Sequence, residues 1–217
     1  MHRQARFTVS FALTVLVSGC ALMPSGAPPS AERLTGLLEI SPEAANVAPC
    51  AGGEQLALDN AGEVRALFER VAQPGQTAIF VDLNGRRNAQ GGFAVDQVLR
   101  MQSAGRGCAD QAYQSSQWLA LGDAPYWQVR IGAQGMQWQD TVEDVLSAPI
   151  PLITEQVPGG TLSFQTLRGD QRELWITPQP CFDQGSGDYY HASVRLITAG
   201  SSQQGCAYQG AMQDSRP

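Results

Sequence analysis

The sequence predicts a mainly β protein made of two small antiparallel β domains in series. The first is an OB-like barrel with one helix, and the second is a β meander or barrel. Three observations predict this. Short apolar runs recur along most of the chain, separated by turns rich in Gly, Pro, Asn and Asp. One stretch (Val64, Leu67, Phe68, Val71) has helical spacing, and it falls between the third and fourth strands, where a five-stranded OB barrel carries its helix. Four cysteines lie two to a half, at positions 50, 108, 181 and 206.

The chain opens with a segment built for export. Arg3 and Arg6 make a basic start, and Phe7 to Val17 is a short apolar run. Small residues then lead to Val17-Ser18-Gly19-Cys20. Basic, apolar and small residues in that order mark a signal peptide, and the apolar run is too short to span a bilayer. A cysteine directly after Ser-Gly resembles a lipobox, the signal of bacterial lipoproteins. The resemblance implies that residues 1–19 are removed and that Cys20 carries lipid on its sulfur and its amine. Several acyl chains, at about 0.8 kcal/mol per buried methylene, hold where a single chain binds only reversibly. The membrane is then the first partner. Ala21, rather than an aspartate, follows the cysteine, and by likeness to lipoprotein sorting this favours the outer membrane, facing the periplasm. The competing readings are an ordinary signal peptide with an incidental Cys20, or an uncleaved anchor. Residues 20–33 are rich in Pro, Ala, Ser and Gly and read as a tether.

Loss of Arg3 and Arg6 takes the formal charge from −6 to −8. Such a surface argues against nucleic acid and against a polybasic grip on anionic lipid. With Cys20 committed to lipid, Cys50, Cys108, Cys181 and Cys206 allow three connectivities. Local pairing, Cys50 with Cys108 and Cys181 with Cys206, would put one bridge in each half. On the chain-entropy model those loops are worth roughly 4 and 3.5 kcal/mol. A metal site fits poorly, because no C-x-x-C is present and His191 is the single histidine after the signal. No metal and no cofactor are expected.

The first domain is expected over residues 34–112. Leu34 to Ile40, Val47 to Cys50 and Gln55 to Leu58 read as strands, the last two around Gly52-Gly53. Asn60 is a candidate N-cap for the helix, which Pro74-Gly75 ends. Thr77 to Leu83 is a buried-strand candidate that Gly85 breaks, and Phe93 to Met101 is another strand. Gly36-Leu-Leu-Glu-Ile40, Ala48-Pro-Cys50, the helix EVRALFERV, the strand TAIFVDLNG and the closing VDQVLRMQSAGRGC108 together resemble the OB-type C-terminal domain of NlpE (CutF). The likeness spans about residues 35–109. NlpE-type proteins are outer-membrane lipoproteins linked to copper homeostasis and envelope stress. Their other domain carries a C-x-x-C pair that this chain lacks, so copper handling does not carry over.

The second domain is expected over residues 113–212. Trp118 to Leu121, Tyr126 to Ile131 and Met136 to Trp138 read as strands, with a turn at Gly122 to Pro125. Val142 to Leu146 is a candidate helical turn. Thr161 to Thr166 and Glu173 to Thr177 form a hairpin around Arg168-Gly-Asp170, and Ser193 to Thr198 and Gly205 to Tyr208 end the chain. Leu121-Gly-Asp-Ala-Pro-Tyr-Trp-Gln-Val-Arg-Ile131 and the segment from Pro180-Cys-Phe-Asp183 to Gly205-Cys206 resemble a family of uncharacterised bacterial envelope lipoproteins. That likeness, over about residues 117–209, implies a β fold and a Cys181–Cys206 bridge, and it implies no activity.

Few residues suggest chemistry. His191, beside Tyr189 and Tyr190 and close in sequence to Asp183 and Asp188, could serve as a base or ligand, but reads better as a polar residue at a strand start. Ser186 sits in G-S-G, not in the G-x-S-x-G of a nucleophile elbow. Glu143 and Asp144 are adjacent and so point apart. Trp118, Trp127, Trp138 and Trp175 could line a groove, but read better as core volume, which leaves one face of the OB barrel as the groove candidate. The expected function is a non-catalytic envelope module that contacts another envelope protein, the cell wall or a small ligand. The alternatives are a hydrolase using His191 with Asp183 or Asp188, and a copper or stress-sensing lipoprotein.

Overall fold

In the computed structural model, residues 31–123, 125–142 and 145–212 are described. The signal peptide, Cys20, most of the expected tether and the Glu143-Asp144 pair lie outside the described residues.

The first half contains β1 (Glu32–Ile40), β2 (Ala45–Pro49), β3 (Leu56–Asp59), α1 (Gly62–Val71), β4 (Ala78–Arg87) and β5 (Phe93–Gln102). Antiparallel pairing joins β1 to β2 and β4, β2 to β3, and β4 to β5. β3 runs parallel to β5 at Leu58–Phe93 and Asp59–Ala94. The ring 1-2-3-5-4-1 is therefore closed, and it is the OB-like barrel. Alternating residues such as Leu34 and Leu38 on β1 and Ile79, Val81 and Leu83 on β4 turn inward, and α1 adds Val64 and Val71 to the same core.

Three local expectations are corrected. Asn60 does not cap the helix. Ala61 holds that position with no side-chain cap, and Asn60 instead takes the left-handed turn before it (φ 56°), a conformation Asn tolerates. Gly85 does not end its strand. β4 runs on through it and stays paired with β5 as far as Arg87, and glycine is needed there because a side chain would lie 2.5 Å from the Phe93 ring and 2.2 Å from the Ala94 carbonyl oxygen. Glu32 and Arg33, assigned to the tether, belong to β1, where Arg33 is held by Asp82.

A short 3-10 turn (Gly107–Ala109) and α2 (Gln111–Gln114) lead into the second half. Its strands are β6 (Trp118–Asp123), β7 (Tyr126–Gly132), β8 (Gly135–Gln139), β9 (Leu152–Gln156), β10 (Leu162–Thr166), β11 (Glu173–Thr177), β12 (Cys181–Phe182), β13 (Tyr189–Tyr190), β14 (Ala192–Thr198) and β15 (Ser201–Gln209). Eight of them form one antiparallel sheet in the order β8-β7-β6-β15-β14-β11-β10-β9. Met136 on β8 and Ile150, just ahead of β9, exchange two 2.9 Å backbone hydrogen bonds, so the row nearly closes on itself. Of the candidate helical turn over Val142 to Leu146, Val142 lies in a turn, residues 145–146 are irregular, and residues 143–144 lie outside the described residues. This part of the chain instead approaches β8 through Ser147, whose amide donates to the Trp138 carbonyl (2.8 Å).

The hairpin of β12 and β13 leaves its own half. Tyr189 and Tyr190 pair with Met101 and Arg100 on β5, which extends the first sheet to seven strands. The cause is apolar burial. Tyr189 joins the first core, Phe182 packs on it with ring centroids 5.3 Å apart in an edge-on pair, and the Arg70 guanidinium of α1 lies 3.3 Å from the Phe182 ring centroid.

Both disulfides follow the local pairing. Cys50–Cys108 has a Cα separation of 5.3 Å and Cys181–Cys206 one of 5.5 Å. The second was expected to staple the later domain internally. It is short in sequence, but it ties β12 on the first sheet to β15 on the second.

Candidate functional site

Three side chains hold the two barrels together at a seam, and one of them was a candidate for chemistry. The Arg33 guanidinium donates to both Asp82 oxygens (2.7 and 2.6 Å) and also to the carbonyls of Gln209 (2.6 Å) and Gly210 (2.7 Å) at the end of β15. Arg100 is fully buried. It donates to Asp110 at 2.9 Å and faces the rings of Phe80, Tyr113 and Tyr208 at 4.3–5.0 Å. A cation so enclosed is held by one carboxylate and by aromatic faces. Burial raises the pKa of Tyr208 and Tyr190, whose rings stack 5.3 Å apart beside it, so both stay neutral.

His191 is the third. Its amide and its Nδ1 both donate to the Leu99 carbonyl of β5 (2.9 and 3.0 Å), and its ring lies 5.7 Å from Trp118. Burial lowers its pKa, only partly offset by the Leu99 hydrogen bond. The structure does not join it to the expected acids. Asp183 accepts from the Ser186 amide (2.9 Å) and hydroxyl (2.8 Å), and Asp188 accepts from the Ser103 amide (2.9 Å). Burial, opposed by these hydrogen bonds, raises the Asp188 pKa. Among the described residues, no group of three or more His, Cys, Asp and Glu is placed to hold a metal ion, and no helix is long and apolar enough to cross a membrane.

The larger concavity lies elsewhere. A depression of about 490 Å³ on the OB-like barrel runs from Thr35 to the Gly52-Gly53 turn. A groove of about 940 Å³ runs over the outer face of β11, β14 and β15, walled by the chain from Thr177 to Gln184. The sheet builds its floor by alternation. Leu174 and Ile176 of β11, and Val194 and Leu196 of β14, turn into the second core. The residues between them face out, among them Trp175, Ser193 and Arg195. Register then sets Trp175 opposite Arg195, and Arg195 opposite Gln204. The floor of the groove is thus an indole, a guanidinium and an amide on adjacent strands, about 4.8 Å apart from strand to strand.

Two glycines shape the rim. A side chain at Gly122 would lie 2.4 Å from Trp127 Nε1, and one at Gly205 would lie 1.9 Å from the Leu121 carbonyl oxygen and 3.1 Å from the Trp127 ring. With no side chain at either position, the buried Trp127 packs directly against the backbone of β6 and β15. The Cys181–Cys206 bridge holds the wall to the floor.

The four tryptophans therefore divide. Trp127 is core and Trp118 and Trp138 pack against it, as expected, whereas Trp175 faces the groove. The Arg168-Gly-Asp170 turn is the expected hairpin connection. No family model, no curated protein and no solved structure matches this chain.

Proposed function

We propose that the protein is a lipid-anchored module of the bacterial outer membrane that faces the periplasm and binds a partner or ligand in the groove of β11, β14 and β15, with no chemistry of its own. The observation that carries this reading is the groove itself. It is larger than the depression on the OB-like barrel, it sits on a sheet braced by a second barrel, and a disulfide fixes its wall. Sites of this size with a few convergent polar groups are the usual seats of ligands. The lipobox-like Val17-Ser-Gly-Cys20 supports the anchor, and the tether after it would set the barrels off the lipid surface.

Two measurements test the reading. Cys20→Ala, or globomycin treatment of cells, is expected to alter processing and move the protein out of the membrane fraction; unchanged fractionation refutes the anchor. A photo-crosslinking residue placed at Thr177, on the groove wall, is expected to give adducts in intact cells that the same residue at exposed Glu69 of α1 does not. Equal labelling at both positions, or none at Thr177, refutes the groove as the binding face.

A further inference from the structure

We infer that the groove of β11, β14 and β15 takes an acidic saccharide, with the apolar face of a sugar ring on Trp175 and its carboxylate on Arg195. This rests on the groove being the binding face. The argument begins with the charges that line it. Glu173 and Asp183 are its two acids, and both are engaged within the chain. Glu173 accepts from the Gln165 amide at 2.9 Å, which draws its carboxylate toward β10 and away from β14, and Asp183 is taken up by Ser186. Of the arginines, Arg33, Arg86, Arg87, Arg100 and Arg172 pair with a carboxylate, whereas Arg65, Arg70, Arg106, Arg130 and Arg168 have no such pair among the described residues. What sets Arg195 apart is its place: it is the arginine that lines the groove, and it has no hydrogen-bond or ion-pair partner among the described residues. In a chain of net charge −6, this leaves one uncompensated cation on the floor of the groove.

The neighbours of Arg195 narrow the ligand class. Trp175, directly across the ladder, offers an indole face and an Nε1–H donor, and its Nε1 makes no hydrogen bond among the described residues. Gln204, directly across on the other side, offers an amide that can donate and accept. A guanidinium presents donors only, in a planar fork that matches a carboxylate. An aromatic platform beside such a fork, with an amide and the Ser193 and Thr177 hydroxyls around it, matches a ring with an apolar face, several hydroxyls and a carboxylate. A purely apolar ligand would leave the guanidinium and amides desolvated without partners. A phosphorylated nucleic acid would meet an acidic molecule with a single free cation at the site.

The test uses the full chain and two probes, a galacturonic-acid oligosaccharide and the galactose oligosaccharide of equal length. Binding is read from the Trp175 indole N–H resonance, assigned by its loss in Trp175→Phe, and by calorimetry. The acidic oligomer is expected to shift that resonance and to bind at least about tenfold more tightly than the neutral one, the value of one good charge-assisted contact. Arg195→Gln is expected to remove the preference for the acidic oligomer, and Trp175→Phe to weaken the binding of both. Arg195 is exposed, so its replacement leaves the fold intact. Equal affinity for both probes, or an Arg195→Gln variant with unchanged preference, overturns the role of the carboxylate. No resonance shift with either probe overturns the saccharide. In both cases the crosslinks from Thr177 still decide whether the groove is the binding face.

Discussion

Removal of the Arg33 side chain is expected to be among the most damaging single changes in this protein. Asp82 is fully buried, and the Arg33 guanidinium supplies two hydrogen bonds to it, with two more to the carbonyls at the end of β15. Arg33→Ala would leave a buried carboxylate without its counter-charge, a loss of about 3–5 kcal/mol. Asp82→Asn keeps Arg33 on the β15 carbonyls and relieves the buried charge, so it should cost less. The double variant should recover part of the Arg33→Ala loss, because the uncompensated carboxylate is then gone. Urea unfolding followed by circular dichroism measures all three. Arg33 is one of several links between the barrels, beside Arg100, His191, the β13–β5 pairing and the Cys181–Cys206 bridge, so Arg33→Ala is expected to keep a single transition. A loss below about 1 kcal/mol for Arg33→Ala, the scale of an exposed pair, would refute the claim that this ion pair holds the seam.

The pH dependence of stability should carry the mark of His191. Its folded pKa lies below the ordinary value of 6.5, so its contribution is fully present above about pH 6.5 and is lost as pH falls through the folded pKa. Asp188, with a raised pKa, acts in the opposite sense: its contribution is present below 3.8 and is lost as pH rises through its folded pKa. Melting temperatures between pH 7 and pH 5 should therefore fall more steeply for the natural protein than for His191→Gln; parallel falls would show that His191 takes up its proton equally in the folded and unfolded states, and would refute its burial as a source of pH dependence. Replacing Cys181 and Cys206 together by Ala should cost about 3.5 kcal/mol on the chain-entropy estimate, and should raise hydrogen exchange at Tyr189 and Tyr190; protection there unchanged from the natural protein would mean the hairpin holds without its bridge. Gly205→Ala puts a methyl group 1.9 Å from the Leu121 carbonyl oxygen, so a loss of more than about 2 kcal/mol is expected in thermal unfolding, and a neutral result would mean that β6 and β15 can part.

The parts of the fold that were legible are those where one local pattern decides. The Val64, Leu67, Phe68, Val71 spacing gave α1, and the apolar run AIFVDL gave most of β4. β9 carried no such pattern. It is the outer strand of its sheet, four of its five residues are exposed, and its apolar residues do not alternate, so the sequence alone left Leu152–Gln156 unassigned. β12 and β13 have two residues each, too few for any period to show, and they form because Phe182 and Tyr189 find a core from the other half of the chain. The groove was hidden for a related reason. Trp175 and Arg195 are twenty residues apart in sequence, and only the pairing of β11 with β14 sets them side by side. Trp175 alone looked like core, since it sits in a strand whose next-door residues, Leu174 and Ile176, are core. Arg33 gave no signal at all, because a lone arginine at the end of a Pro- and Ser-rich stretch reads as tether until Asp82 is seen across the sheet.

Arg33 also decides how force passes through the molecule. A pull on the chain ahead of residue 32 enters at the first strand, and within two residues it reaches a side chain bolted both to β4 of its own barrel and to the last turn of β15 in the other. Load applied there is thus shared between the barrels from the outset, and neither barrel bears it alone.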